Sequence, residues 1–460
     1  MPRLFVSLCC VAACAATAQA GPARSGQPLT LADALSLAAA RYPAIRAAME
    51  QQAAAQDAIG VAKTAYLPRA DMLWQESRST TNKPNVALLP QAIVPVPDTP
   101  ARVEEGRSDW NSAGGVLLSW QPFDFGQRGA RINVARQGAA AARQGTGVTR
   151  LAVASATASA YFDVAAAQQL VQVAQANLDR MQTFTQAVHV LVDNKLRAGA
   201  DASQADAELA LARTQLIETQ TQEKVRLDAL ANLLQSAPEN VSIRAEGLLE
   251  APPAEDLQAT PIASHPAVEQ QAALVEQQKA SLTALSRSYA PVFYLYGSAS
   301  GLGSGLSSST SFEAGSSGLA PGQFNWLVAA QVTFPALEIF TIHEQKKQQQ
   351  EIERSQEAQY RQTLSDLSTQ ARQAMEVLDG ARRIARNTPT ELAAARAGEQ
   401  QQRTRYQSSL ATVVEVAVAE SLLRQAEADD ALARLSVWRA LAGLAIARGD
   451  ITPFLNVMRK

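Results

Sequence analysis

The sequence predicts a mixed fold: long α-helical hairpins interrupted by two pairs of β-strands, laid out as two internal repeats. Three observations lead there. The composition suits helices, with 47% hydrophobic but only 5% aromatic residues in 460 positions and abundant Ala and Gln, which enter a helix at little cost. The hydrophobic period switches twice from about 3.6 residues to two and back. One pattern is also written twice. RYPAIRAAM from Arg41 and SHPAVEQQA from Ser264 each open a helix-like run at a proline, Pro43 and Pro266. Each run reaches a second proline, Pro68 and Pro291, 25 positions later, with Tyr66 or Tyr289 two positions before it.

Residues 1–20 read as an export signal: Arg3, an apolar stretch from Leu4 to Ala13, and the A-x-A site Ala18-Gln19-Ala20. A second reading stays open, because Val11-Ala12-Ala13-Cys14 resembles a lipobox that would leave Cys14 as a lipid-bearing N-terminus. All three cysteines, Cys9, Cys10 and Cys14, lie in this leader, so cleavage after Ala20 leaves no thiol or disulfide. A net charge of −2 gives no broad basic surface for nucleic acid. Beyond the leader no apolar run approaches the ~20 residues of a membrane helix. The remaining route across a bilayer is a closed β-barrel, which leaves no backbone group unpaired in lipid.

The first repeat spans 29–235. A short helix over Leu29–Ala40 starts at Thr30-Leu31-Ala32-Asp33, a capping box with Asp33 in place of Glu. A second helix follows over Pro43–Thr64, with proline at a first position where its missing N–H is not needed. Alternation then predicts strands over 66–76 (Ala70, Met72, Trp74) and 113–122 (Val116, Leu118, Trp120). The intervening loop, 76–110, is rich in Pro, Asn and charge and belongs in water. A long helix over 127–197 carries the stripe Leu178, Met181, Phe184, Val188 and Leu191. Gly138, Gly145 and Gly147 interrupt it at about 1 kcal/mol each. The chain turns near 199–203, Gly199 ending the helix in a left-handed conformation and Ser203 capping a return helix to Leu234. A proline-rich, non-helical connector covers 236–264.

The second repeat, 265–446, follows the same order. Its strands fall at about 290–297 (Val292, Tyr294, Tyr296) and 326–334 (Val328, Ala330, Val332, Phe334), closed by a loop over 297–322 holding seven Gly and nine Ser. A long helix over 343–407 carries Leu364, Leu367, Ala371 and Leu378, and Pro389 predicts a kink or break. The tip near 409–412 leads to a return helix from a Thr412 cap to Ile446, and 447–460 form a tail. At ~1.5 Å per residue the first long helix is about 105 Å long, so a return helix and a shorter helix end to end must lie beside it. One such unit cannot bury its own stripe, which is the physical reason for repeating it.

Catalytic constellations are missing from this pattern. His189, His265 and His343 are widely separated, with no cluster at metal spacing. GLGSG at 301–305 sits in a Ser-rich loop, not between a strand and a helix. No enzyme activity, metal or cofactor is expected.

LTLADALSLAAARYP, AYLPRADM, SWQPFDFGQRGARINVARQ, its weaker echo QVTFPALEIFTIHEQKKQ, and the two tips occur in an order that resembles the TolC-like outer-membrane efflux proteins. The resemblance covers about Leu29 to Ile446. It implies a homotrimer in which each chain gives four strands to a twelve-stranded transmembrane β-barrel in outer-membrane lipid, with helices forming a periplasmic α-barrel. It further implies an exit duct of a tripartite efflux pump, passive, docked to a periplasmic adaptor and an inner-membrane pump and carrying small toxic compounds. The tip residues Arg197, Ala198, Gly199 and Ala200, with Ser408, Ser409, Leu410 and Ala411, match where the family docks its adaptor. Glu415 matches a position of the family's constriction carboxylates. Its other usual acidic position is Val418 here, so any ring would be single. Arg405 and Tyr406 resemble tip-closing residues, with Arg405 displaced from the usual lock position, now Ala411. Two other readings are weighed beside this one: a type I protein-secretion duct, and a periplasmic coiled-coil adaptor or scaffold with no membrane barrel.

Overall fold

The computed structural model describes residues 28–80, 108–245, 248, 261–304 and 318–458. The leader with Cys14, most of the connector and the centres of both strand-closing loops lie outside the described residues. The element order is α1 (Leu31–Arg41), α2 (Pro43–Thr64), β1 (Arg69–Thr80), β2 (Ser108–Trp120), α3 (Gln127–Asp193), α4 (Gly199–Leu234), α5 (Pro266–Arg287), β3 (Val292–Ser304), β4 (Gln323–Thr333), α6 (Glu338–Gln407), α7 (Val413–Ala447) and α8 (Thr452–Met458). Among the described residues no helix is long and apolar enough to cross a membrane. The chain forms two compact units, one of 38–156, 252–391 and 436–460, the other of 1–37, 157–251 and 392–435.

The first of these units holds the sheet. Its four strands are antiparallel in the order β1-β2-β3-β4, so β2 and β3 join the two strand pairs and β1 and β4 are edges. The strands run 11 to 13 residues and extend into what the composition predicts as loop. The stretch 297–304 belongs to β3: β2 pairs with all of it and β4 with 297–302, where the Gly and Ser side chains permit close approach. A Cβ on Gly115 would stand 2.7 Å from the Ala299 carbonyl oxygen, and one on Gly114 would meet the Trp74 ring at 2.6 Å. The two faces differ in chemistry. One carries Met72, Trp74, Val116, Leu118, Trp120, Phe324, Trp326, Val328 and Val332, all exposed. The other carries Asp71, Gln75, Ser119, Ser298, Ser300, Asn325 and Gln331. Tyr294 and Tyr296 lie on this polar side, stacked at 5.7 Å.

Long helices pack beside one another in the same unit. The α3 glycines, read from sequence as interruptions, are contact points. A Cβ on Gly138 or Gly145 would approach Gln277 or Gln270 of α5 at 3.1 and 2.9 Å. Glutamine pairs join α5 to α6, Gln349 donating to Gln278 at 2.8 Å and Gln356 to Gln271 at 2.6 Å. His265 caps α5, its Nδ1 accepting from the Ala267 N–H at 3.1 Å, and burial lowers its pKa. Pro389 does not break α6, which continues from Glu338 to Gln407. Proline costs one bond to the Ala385 carbonyl, and the helix stays packed on both sides through buried Ala381 and Ala395.

In the second unit the α1 capping box forms as the spacing predicts, the Thr30 hydroxyl donating to Asp33 at 2.6 Å and the Asp33 N–H donating back at 3.2 Å. Tyr161 is fully buried, its hydroxyl 2.9 Å from the Leu29 carbonyl and 2.7 Å from that of Arg244. Burial pushes its pKa up to about 12, so it remains a donor. The α3 stripe forms a core: Leu178, Met181, Phe184 and Val188 pack with Ala205, Leu216, Tyr406 and Val416.

Candidate functional site at the two helical tips

Both long helices end in the same turn. At the first, the Leu196 N–H donates to the Leu191 carbonyl and the Lys195 N–H to that of Val192, both at 2.9 Å, with Lys195 at φ 60°. At the second, the Leu410 N–H donates to Arg405 at 2.8 Å and the Ser409 N–H to Tyr406 at 3.0 Å, with Ser409 at φ 63°. This is the paired-bond helix stop in which one residue turns left-handed. The expectation for Gly199 is therefore corrected. Lys195 takes the left-handed position, and Gly199 is the first residue of α4. The turn closes four residues earlier, where the α3 stripe ends at Leu191. Ser203 is not a cap either: it lies inside α4, whose N-cap is Ala198 with no side-chain bond.

Arg197 reaches from the first tip to the second. Its guanidinium lies 4.3 Å over the Tyr406 ring and donates to the Tyr406 carbonyl at 2.6 Å and more weakly to that of Ala411 at 3.4 Å. Tyr406 is buried, tilted against Phe184 at 5.4 Å, and its hydroxyl donates to Asp201 at 3.5 Å. Burial, and then the Asp201 charge, raise its pKa and keep the phenol neutral. Arg405 is not part of this cluster. It bonds within its own turn, to the Leu410 carbonyl and Gln402, each at 3.3 Å. Of the tip surface read from sequence, Ala198, Gly199, Ala200, Ser408, Ser409 and Leu410 are exposed, Arg197 is half-buried and Ala411 is buried.

Thr412 caps α7 as the sequence predicts, and Glu415 is its partner. The Glu415 carboxylate accepts from the Thr412 N–H at 2.7 Å and its hydroxyl at 3.1 Å, and the Glu415 N–H donates to that hydroxyl at 3.3 Å. These bonds, the backbone one first, hold the Glu415 pKa below the usual carboxylate range. On the first hairpin, His189 of α3 sits 2.9 Å from Asp206 of α4, and that bond raises the histidine pKa.

A buried charge cluster in the same unit was missed by the sequence reading. Glu420 of α7 is 2% exposed and pairs with Arg180 of α3 at 3.1 Å and with Arg403 of α6. Arg180 also holds Glu427 at 2.9 Å. Arg403 Nε lies 2.6 Å from Glu399, yet off the hydrogen-bonding line, so neither atom has an aligned partner. Burial, and then Glu420, raise the Glu399 pKa. The i,i+4 pair Glu399–Arg403 was legible, but the partners on α3 and α7 were not. Among the described residues no group of three or more side chains is arranged to hold a metal.

A four-stranded antiparallel sheet with long helical hairpins is a fold this chain shares with solved outer-membrane channels. Residues 34–235 match the family described as outer membrane efflux protein. The fold is shared with solved channels. CmeC of Campylobacter jejuni superposes with a TM-score of 0.73 at 16% identity, over 94% of this chain and 89% of that one. VceC of Vibrio cholerae gives 0.69 at 17% identity, over 91% and 96%. The open state of MtrE of Neisseria gonorrhoeae gives 0.68 at 18% identity, over 91% and 89%. No curated protein sequence matches significantly. The sequence match covers 34–235, and the likeness to solved channels extends the shared fold over nearly the whole chain.

Proposed function

We propose that this chain is one protomer of a trimeric, passive exit duct of a tripartite efflux pump, passing small toxic compounds from an inner-membrane pump and its periplasmic adaptor to the exterior. The observation that carries this reading is the open sheet. Its two edge strands each have one neighbour, while one face carries an exposed apolar band over Met72, Trp74, Val116, Leu118, Trp120, Phe324, Trp326, Val328 and Val332. Such a sheet is stable in lipid only when closed. Four strands are too few to enclose a lumen, and three copies supply twelve. The long helices then continue the duct on the periplasmic side. The adaptor would dock on the small side chains Ala198, Gly199, Ala200, Ser408, Ser409 and Leu410, with Arg197 and Tyr406 behind them holding the tip closed. Repeat boundaries at 29–235 and 265–446 are part of the same proposal.

Glu415 is proposed as the single carboxylate ring of the constriction. Its cap keeps it ionised, and three such charges around a narrow pore attract cations. Purified in mild detergent, the chain should run as a heat-labile trimer and conduct in planar bilayers with cation preference, while Glu415→Ala should lose both that preference and block by multivalent cations. A soluble monomer that does not conduct sinks the duct. A conducting Glu415→Ala variant with unchanged selectivity sinks only the ring.

A further inference from the structure

We propose that Glu399 and Glu420 form a proton-sharing carboxyl pair, a pH-sensitive clamp that holds the tip end of the α6–α7 hairpin onto α3 while one proton is bound and slackens when it leaves. All its residues lie within one compact unit, and it stands whether or not the chain is a duct. Three carboxylates, Glu399, Glu420 and Glu427, meet two guanidiniums, Arg180 and Arg403. With every group ionised, the cluster carries one negative charge in excess. Glu399 is 9% exposed and Glu420 2%, so water does little to screen that charge.

The contacts place the proton on the Glu399 side of the pair. Arg180 reaches across from α3 to Glu420 at 3.1 Å and to Glu427 at 2.9 Å. Arg403 of α6 holds the other Glu420 oxygen, so that carboxylate meets a guanidinium on each side. Glu399 has one cation, Arg403 on its own helix, and its Oε1 has no aligned donor. Its other hydrogen-bonding contact is the Glu420 carboxyl. Two ionised carboxylates repel each other and neither can donate. One proton between them makes the bond and removes the excess charge together. Burial, and then Glu420, raise the Glu399 pKa in agreement with this.

The surrounding packing adds little charge of its own. Ala395 of α6 and Leu423 and Ala426 of α7 form one apolar core. The nearby stretch of α4 meets α3 through Ala205, Ala212 and Leu216. Arg424 of α7 is half-buried and pairs with none of the three carboxylates. A raised carboxyl pKa means that the folded cluster holds its proton more tightly than the unfolded chain does. The clamp is therefore complete below the ordinary glutamate range and is lost as pH rises through the raised value. Glu415, in the first turn of the same helix, answers in the opposite sense, because its cap is lost in acid.

The test uses the full chain as it assembles in mild detergent. Infrared spectroscopy reads the C=O stretch of a protonated carboxyl, and hydrogen exchange, corrected for its intrinsic pH dependence, reads the amides of 399–403 and 420–427. Just above the ordinary glutamate range the unsubstituted chain should keep about one protonated carboxyl. That band should titrate away as pH rises, and protection of these amides should fall several-fold with it. Glu399→Gln keeps the shape of the protonated form, so it should lack the band and hold its protection level across the same pH range. Glu427→Gln, at the edge of the cluster, removes the excess charge and should move the titration to lower pH. His189 is present in all three chains, so its own titration is common to them. Absence of the band, or protection that does not follow it, overturns the clamp. A band or pH response that survives Glu399→Gln overturns it as well. An unshifted titration in Glu427→Gln overturns the charge balance on which it rests.

Discussion

The first tip and the second make the same left-handed turn, yet one is held from outside and the other from within. Lys195 and Ser409 occupy equivalent positions, with matching backbone bonds around them. The helix after the first turn starts at Gly199 with no side-chain cap, and Arg197 instead reaches to Tyr406 and Ala411 of the second hairpin. The helix after the second turn carries its own reciprocal cap, Thr412 with Glu415. A short-range motif suffices to stop and restart a chain, but joining two hairpins takes a side chain long enough to cross between them.

The comparison can be broken most forcefully through the buried cluster that ties α7 to both long helices. Glu420→Ala leaves the Arg180 and Arg403 guanidiniums without their shared carboxylate. Removing one partner of a buried ion pair costs about 3 kcal/mol or more. Hydrogen exchange should show α3, α6 and α7 losing protection together around this cluster. A loss no larger than that of an exposed control, such as Glu218→Ala, would show the cluster to be inert.

Arg197→Ala comes next, at about 2 kcal/mol, because it removes a desolvated cation–π contact and a charged hydrogen bond. Protection should fall at both tips, since the link is shared. Arg197→Lys should recover little, because an ammonium cannot stack flat on a ring. Full recovery by lysine would mean that charge alone holds the hairpins.

Thr412→Ala is the smallest, about 1 kcal/mol, and its effect should stay within the first turn of α7. The two hairpins should also answer pH oppositely. The Glu415 pKa is lowered by the Thr412 backbone bond and then its hydroxyl, so the second cap is complete above the ordinary glutamate range and is lost as pH falls through the lowered value. The His189 pKa is raised by Asp206, so that tie is complete below the ordinary histidine range and is lost as pH rises through the raised value. Amide exchange, corrected for its intrinsic pH dependence, should loosen the start of α7 in acid and the α3–α4 pair toward alkaline pH. The same response in both hairpins would erase the distinction.

What the residues by themselves determined are the features written in neighbours along the chain. Apolar spacing over 178–191 marks the buried stripe, alternation over 70–74 and 328–332 marks strands, and Thr30–Asp33 and the Thr412 cap mark helix starts. These work within a few residues, where backbone geometry sets which side chains share a face. The tertiary structure decided the rest. Gly138 and Gly145 mark helix contacts only because α5 lies against them. Residues 297–302 become strand because β2 and β4 pair with them. Pro389 stays within its helix because packing on either side outweighs one lost bond. Arg197 and Tyr406 stand 209 positions apart, and Arg180 and Glu420 240. No local pattern carries such pairs, since contact at that separation depends on how whole helices lie side by side.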